Sequence, residues 1–409
     1  MTGAGSTFGD GEVRVSSRQA RHCVPVRLRR LLSRPASGRP EGDYVHRPRE
    51  LSPLVWRRVI GGGHALHVES SNVPAYDVEP VEAITDTERA VYGAVTSLEL
   101  RAFLDGWTTG QLGSPIKEVR FRAGRIDVVW GVELEDGRAV VIKTHRPPVD
   151  IDAARGANDA QRLLATAGFP CAVPLAGPDE VEGRILTAET LIDGHAPDGR
   201  VPANRLLLAE GLARHIDILR DNSDLVRRAG PGPSWCQYQS GPWPVPHDTL
   251  VDFRSTPTGF EWLDAYGQRA AEHILAHRDA DDVVIGHADW YAGNTAVSGD
   301  VLVGTFDWEL VAETEAVIAG FAAACNAASS TGSGGLSTPE EVAFFMRDYD
   351  VVRAQPLSDR EQRAAAGAAA WIIAFNARWQ VGLIEHGICD EAVLSLVRNR
   401  GEDYLSLVW

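Results

Sequence analysis

Apolar residues recur at helical spacing from Asp86 onward, at Ala90, Val91, Ala94, Leu98, Leu100 and Phe103, with Thr85 or Asp86 placed as the cap. That spacing predicts one amphipathic helix. The pattern then changes to strand-like runs at 116–121, 128–134 and 139–144. Glu135-Asp136-Gly137-Arg138 separates the last two and predicts a hairpin that brings Lys143 near a strand end. A helical run over 150–167 stops at Gly168, and short strands are expected at 172–175 and 184–189. Beyond Asp193-Gly194 the spacing is helical at 202–220, 261–278, 340–348, 359–385 and 390–399, with one β-rich interruption at 283–311. The chain therefore reads as α+β, with a small β-rich unit at 81–190 followed by a larger, mainly helical one at 191–409.

Residues 1–80 show no such period. They mix Gly, Ser, Pro and Arg, and Leu31-Leu32 and Gly61-Gly62-Gly63 belong to no pattern, so a disordered extension is expected. No apolar stretch there has the length of a signal-peptide core. Charge is equally uneven: the first 75 residues hold twelve Arg against six acids, so the net charge of -16 leaves roughly -22 on the rest. An acidic body argues against sequence-independent nucleic-acid binding and tolerates a cationic substrate. No run approaches the roughly 18 apolar residues of a membrane span, and the composition fits a cytoplasmic enzyme. Five scattered cysteines, with no C-x-x-C spacing, signal neither a disulfide framework nor a zinc site.

The β-rich interruption carries the chemistry. It runs through Gly286-His287-Ala288-Asp289-Trp290-Tyr291-Ala292-Gly293-Asn294, then a hairpin turning at Ser298-Gly299-Asp300, and then Phe306-Asp307. Phosphoryl transfer needs a carboxylate near the acceptor hydroxyl and oxygen ligands for the Mg²⁺ that neutralises nucleotide phosphates. Asp289 is the candidate base or hydroxyl-orienting group, and Asn294 and Asp307 are the candidate metal ligands. His287 is expected to brace the loop rather than react. Read singly, each of these is an ordinary turn former or core residue; together, in this order, they point to one site.

The segment from Gly286 to Asn294, with Phe306-Asp307-Trp308-Glu309, resembles the catalytic loop and metal-binding segment of the aminoglycoside phosphotransferase family. Arg138-Ala139-Val140-Val141-Ile142-Lys143 is similar to that family's nucleotide-lysine strand, and Leu163-Leu164-Ala165-Thr166-Ala167-Gly168-Phe169-Pro170 to the end of its first-lobe helix. The resemblance spans about 300 residues and implies a two-lobed protein-kinase-like fold. It also implies ATP (or GTP) and Mg²⁺ as cofactors, and ATP-dependent O-phosphorylation of a small hydroxylated metabolite or antibiotic. Lys143, one of only two lysines in the chain, would bind the α/β-phosphates. The stretch from Arg122 to Asp127, particularly Gly124, falls where the phosphate-covering loop belongs. Thr187-Ala188-Glu189-Thr190-Leu191 would be the interlobe hinge, facing the adenine edge through its backbone.

Two positions depart from the family pattern. The helix before Gly168 offers Asp159 in place of the usual glutamate partner of the lysine, and Ala319 stands where an Asp anchoring the catalytic loop is expected. Both motivate a rival reading, a catalytically silent kinase-like nucleotide-binding or scaffold protein. For the acceptor, Trp290 and Tyr291 are candidate aromatic walls and Glu309 a candidate acid toward an aminated ligand. A hydrolase using His287 and Asp289 would need a nucleophile; no G-x-S-x-G occurs, and Cys325 sits in an apolar, Ala-rich stretch.

Overall fold

The expected first helix forms as two. Thr85 and Glu88 make a capping box that starts α1 (Asp86–Tyr92), and Gly93, at φ 76, ends it. A second capping box, Thr96 with Glu99, then starts α2 (Ser97–Leu112). The apolar spacing continues across this break, which is why periodicity alone joined the two. The chain is seen here as a computed structural model that describes residues 83–409 apart from 231, 242, 249 and 329–334. The extension expected over 1–80 lies outside the described residues.

Strands β1 (Ile116–Ala123), β2 (Val128–Leu134) and β3 (Ala139–His145) follow, with Gly137 at φ 87 closing the β2–β3 hairpin. Helix α3 (Ile151–Thr166) starts at the Asp150 cap and stops before Gly168, at φ 73. With β4 (Pro174–Val181) and β5 (Arg184–Thr190) the sheet is complete, antiparallel in the order β1-β2-β3-β5-β4. Lys143 is thereby placed on the central strand, opposite Val129 of β2 and Thr187 of β5. Beneath the sheet, the buried Glu88 of α1 accepts hydrogen bonds from Trp130 Nε1 (2.6 Å) and Arg122 Nε (2.8 Å). Arg122 is thus a buried counter-ion on β1, and the stretch expected to cover phosphates shrinks to the β1–β2 turn at 124–127. A buried pair of this kind is costly to break, so it ties the β1–β2 turn to α1.

The second part contains α4 (Pro202–Leu219), α5 (Ser223–Ala229) and α6 (Glu261–His277), then β6 (Val283–His287), β7 (Thr295–Ser298), β8 (Val301–Thr305) and β9 (Leu310–Thr314). It ends in α7 (Glu315–Cys325), α8 (Pro339–Val352), α9 (Asp359–Leu383) and α10 (Glu391–Leu405). β6 pairs with β9, and β7 with β8. Helix α9 is the centre of this lobe: α6, α7 and α10 pack against it, and Trp371, Ile373 and Ala374 are fully buried. Its apolar stripe is therefore core rather than an exposed interface. Helix α7 is buried on all sides from Glu315 to Ala324, so it has no amphipathic period to read. Among the described residues no helix is long and apolar enough to cross a membrane.

Candidate active site

The β6–β7 connection turns tightly because its own polar groups close it. Asn294 Nδ2 donates to Asp289 Oδ2 (2.8 Å) and to the Asp289 carbonyl (3.0 Å), and the Asn294 carbonyl accepts from Phe306 N (3.1 Å). His287 braces the loop from the other side. Its Nδ1 accepts the Asp289 N–H (3.2 Å) and its Nε2 reaches the Phe306 carbonyl (3.1 Å), an arrangement that requires the neutral Nε2–H tautomer. Burial holds this imidazole down at about 4, so it stays neutral at neutral pH.

Ala319, fully buried in α7, provides no anchor for this loop. His215 of α4 provides one instead: its Nε2 accepts the backbone N–H of His287 (3.2 Å), while its Nδ1 donates to the Gly211 carbonyl (3.2 Å). Burial lowers this imidazole to about 3, which keeps Nε2 free to accept. Trp290 and Trp308 enclose the ring at 4.8 and 5.4 Å. His215→Ala would orphan the His287 N–H and open a cavity among these rings; a loss of about 2–4 kcal/mol in urea unfolding is expected, with a lower turnover at unchanged nucleotide affinity.

Asp307 follows β8 in a left-handed conformation, at φ 58, a strained position that Asp tolerates better than most residues. Its side chain is 48% exposed and its Oδ1 contacts Lys143 Nζ, closing β3 of one lobe onto the loop of the other. Lys143 also pairs with Asp127 Oδ2 at 3.1 Å. Burial lowers the ammonium's proton affinity, but Asp307 and then Asp127 outweigh it and hold the group well above its ordinary value. Glu309 and Asp289 lie in the same field. Burial first, and then neighbouring carboxylates, push Glu309 up to about 8 and Asp289 up to about 7. Asp127, Asp289, Asp307 and Glu309 thus share a single ammonium. Among the described residues no three His, Cys, Asp or Glu side chains are gathered closely enough to hold a metal ion by themselves; the expected ligands, Asn294 and Asp307, would supply one amide and one carboxylate oxygen and leave the other positions to phosphate oxygens and water.

Three expectations, for Asp159, Trp290 and Leu191, need correcting, while Tyr291, Glu189 and Gly124 are located without being displaced. Asp159 does not meet Lys143: its oxygens pair with Arg162 at 3.1 Å and Arg228 at 2.7 Å, because it lies on the α5 side of α3. Trp290 is no acceptor wall; it is 3% exposed and donates through Nε1 to the Leu208 carbonyl (3.1 Å) inside the helical core. Tyr291 lies beside Gly293, where a Cβ would come within 2.4 Å of its ring. Leu191 cannot offer its N–H to an adenine edge, since Ala139 O accepts it at 3.1 Å. Glu189 belongs to β5 and accepts from Gln161 Nε2 of α3 at 2.8 Å. Gly124 is at φ 108, and a Cβ there would lie 1.8 Å from the Asp127 carbonyl, so this turn position requires glycine.

Burial pushes the Glu189 carboxyl up to about 7. A carboxyl raised in the folded state contributes stability fully present below its unfolded value and lost as pH rises through the folded one. Glu189→Gln keeps an acceptor for Gln161 and removes the buried charge. It is expected to be more stable than the parent by about 1–3 kcal/mol at pH 8 and no more stable at pH 4, by urea melts at the two pH values.

Sequence reading also missed a cluster of aromatic side chains that reaches the loop after β6 through Trp235. Trp235 Nε1 donates to the Ala288 carbonyl (3.1 Å), His247 stacks on Trp379 at 4.6 Å, and Arg125 of the β1–β2 turn lies 5.8 Å over the same indole. Only the Trp371-Phe375-Trp379 spacing on α9 hinted at it. The nucleophile that a hydrolase would need is absent from the obvious place: burial pushes the Cys325 thiol far up, the reverse of activation.

Residues 117–353 match the model of the phosphotransferase enzyme family designated APH. No curated protein sequence matches the chain. Among solved structures, an amicoumacin kinase in complex with AMP-PNP, Ca²⁺ and Ami is 14% identical, over 76% of this chain and 96% of that one, with a TM-score of 0.53. An aminoglycoside phosphotransferase from Alicyclobacillus acidocaldarius is 14% identical over 73% and 93%, with a TM-score of 0.43. A Plasmodium vivax ethanolamine kinase is 12% identical over 80% and 90%, with a TM-score of 0.46. At such identities the likeness to the amicoumacin kinase is one of fold: two lobes, protein-kinase-like.

Proposed function

The chain belongs to the phosphotransferase enzyme family, and from that premise we propose that it transfers the γ-phosphoryl group of ATP to a hydroxyl of a small molecule, with Mg²⁺. The observation that carries this reading is the meeting, across one cleft, of Lys143 from β3, Asp289 and Asn294 from the β6–β7 connection, and Asp307 from the loop after β8. Asp289 takes or orients the acceptor's hydroxyl proton as its oxygen bonds to phosphorus and the bond to the nucleoside diphosphate breaks. Lys143 binds the nucleotide phosphates, exchanging the Asp307 carboxylate for phosphate oxygen. Asn294 and Asp307 would hold the metal, which when bound offsets the charge on the phosphates.

On the acceptor side, Trp235 and His247, which reach the surface as the core residue Trp379 does not, would supply the aromatic contact, with Glu309 as the nearby acid. These groups favour a ring-bearing or aminated alcohol. The test is ATP consumption measured over a panel of amino sugars, macrolides, choline-like alcohols and amino-acid alcohols. ADP release that depends on one class of acceptor supports the reading. The absence of Mg²⁺–nucleotide binding in a thermal-shift assay sinks both this and the silent nucleotide-binding alternative, and leaves a scaffold.

A further inference from the structure

We propose that Asp127, at the mouth of β2, is the residue that positions Lys143 for the nucleotide, in place of an acid on α3; this rests on the phosphotransfer reading above. A lysine on a central strand needs a fixed counter-ion, because a desolvated ammonium without one is unstable. Two carboxylates touch it. Asp307 is the poorer anchor: it is 48% exposed, sits on a loop, and is the group a metal would take. Asp127 is 16% exposed and is itself held from several sides. Its Oδ1 accepts the backbone N–H of Arg146 (2.9 Å), and its Oδ2 meets both His145 Nδ1 (3.1 Å) and Lys143 Nζ (3.1 Å).

The strand register explains why the acid can reach. Val128 pairs with Thr144, so Asp127 enters the sheet beside His145, within reach of the lysine two residues earlier on β3. Helix α3 offers no competing charge. Asp159 is taken by Arg162 and Arg228, and the buried polar residue Gln161 is neutral and already donates to Glu189. Against burial, which raises it, Lys143 and then His145 hold the Asp127 carboxyl well below the usual carboxylate range, in keeping with a permanently charged anchor. The turn that leads into Asp127 is the one where Gly124 packs against the Asp127 carbonyl. The shape of the phosphate-side turn and the place of the lysine are therefore set together.

Calorimetric binding of Mg²⁺–AMP-PNP to the full chain tests this. Asp127→Asn is expected to weaken binding about tenfold, Asp159→Asn less than about twofold, and Asp127→Asn added to Lys143→Met no further than Lys143→Met alone. Asp127→Glu, which restores the charge, should recover binding to within about threefold of the parent. Should Asp127→Asn not fold, Asp127→Ser keeps an acceptor for the Arg146 N–H while removing the charge, and the same comparisons decide. Parent-like binding by the charge-removing variant, or effects of positions 127 and 143 that simply add, overturns the proposal. An unaltered protein that binds no nucleotide fails earlier, and takes down the phosphotransfer reading itself.

Discussion

Asp289→Asn is expected to lower kcat by about 10²–10⁴-fold while leaving the affinity for Mg²⁺–nucleotide within about threefold of the parent. The substitution is nearly isosteric, and the side-chain oxygen can still accept the Asn294 amide now 2.8 Å away, so the loop keeps its closing bond. What disappears is a basic oxygen beside the acceptor. Burial and, after it, the Asp307 charge raise the Asp289 carboxyl to about 7, against the Asn294 hydrogen bond and Lys143, which lower it. A base with that value is half protonated near neutral pH. The parent's kcat/KM should therefore rise with pH toward about 7 and level off above it, with one proton's slope on the acid side. A metal cation on Asn294 and Asp307 shifts that limb to lower pH without changing its sign. In the Asn variant the residual rate should lack this limb. A variant with parental kcat would remove Asp289 from the chemistry, whatever its position.

The placement of the loop's polar residues was more legible in the chain than that of the groups that support them. That His287, Asp289, Asn294 and Asp307 come together could be read because a strand, its loop and the hairpin after it are local: their spacing is their geometry. The β2–β3 hairpin was legible for the same reason, through Gly137. Lys143's partner was not. An acid counted back from Gly168 falls on α3, but which neighbour α3 turns that acid toward is a tertiary fact, and Arg228 on α5 claims it. His215 lies 72 residues from the backbone group it anchors, so no local pattern links them. Trp290 shows the same limit in reverse. It follows Asp289 directly, yet its side chain leaves the cleft and packs under α4. The two short helices at the start required Gly93 to outweigh an apolar spacing that ran on past it. Helix α7, uniformly apolar, carried no period at all.

Asp307→Asn is the sharpest probe of the metal assignment. Position 307 is at φ 58, where Asn is at least as tolerant as Asp, whereas Ala would add backbone strain of about 1–2 kcal/mol and blur the comparison. The amide keeps a neutral oxygen ligand but removes the charge, and the expected cost is at least about 100-fold in kcat/KM at low Mg²⁺. Part of that loss should be recovered by raising the metal concentration, because a weakened ligand set is still a ligand set. Stability should move the other way. Asp307 is among the charges that raise Asp289 and Glu309, so without metal its neutralisation relieves like-charge crowding, although Lys143 keeps only Asp127 as a partner. Thermal melts in EDTA should therefore place the variant at or slightly above the parent, and added Mg²⁺ with nucleotide should stabilise the parent more than the variant. Full activity of Asp307→Asn at low Mg²⁺ would mean that the metal, if one is used, is held elsewhere, and that Asp307 serves only to hold Lys143 before the nucleotide arrives.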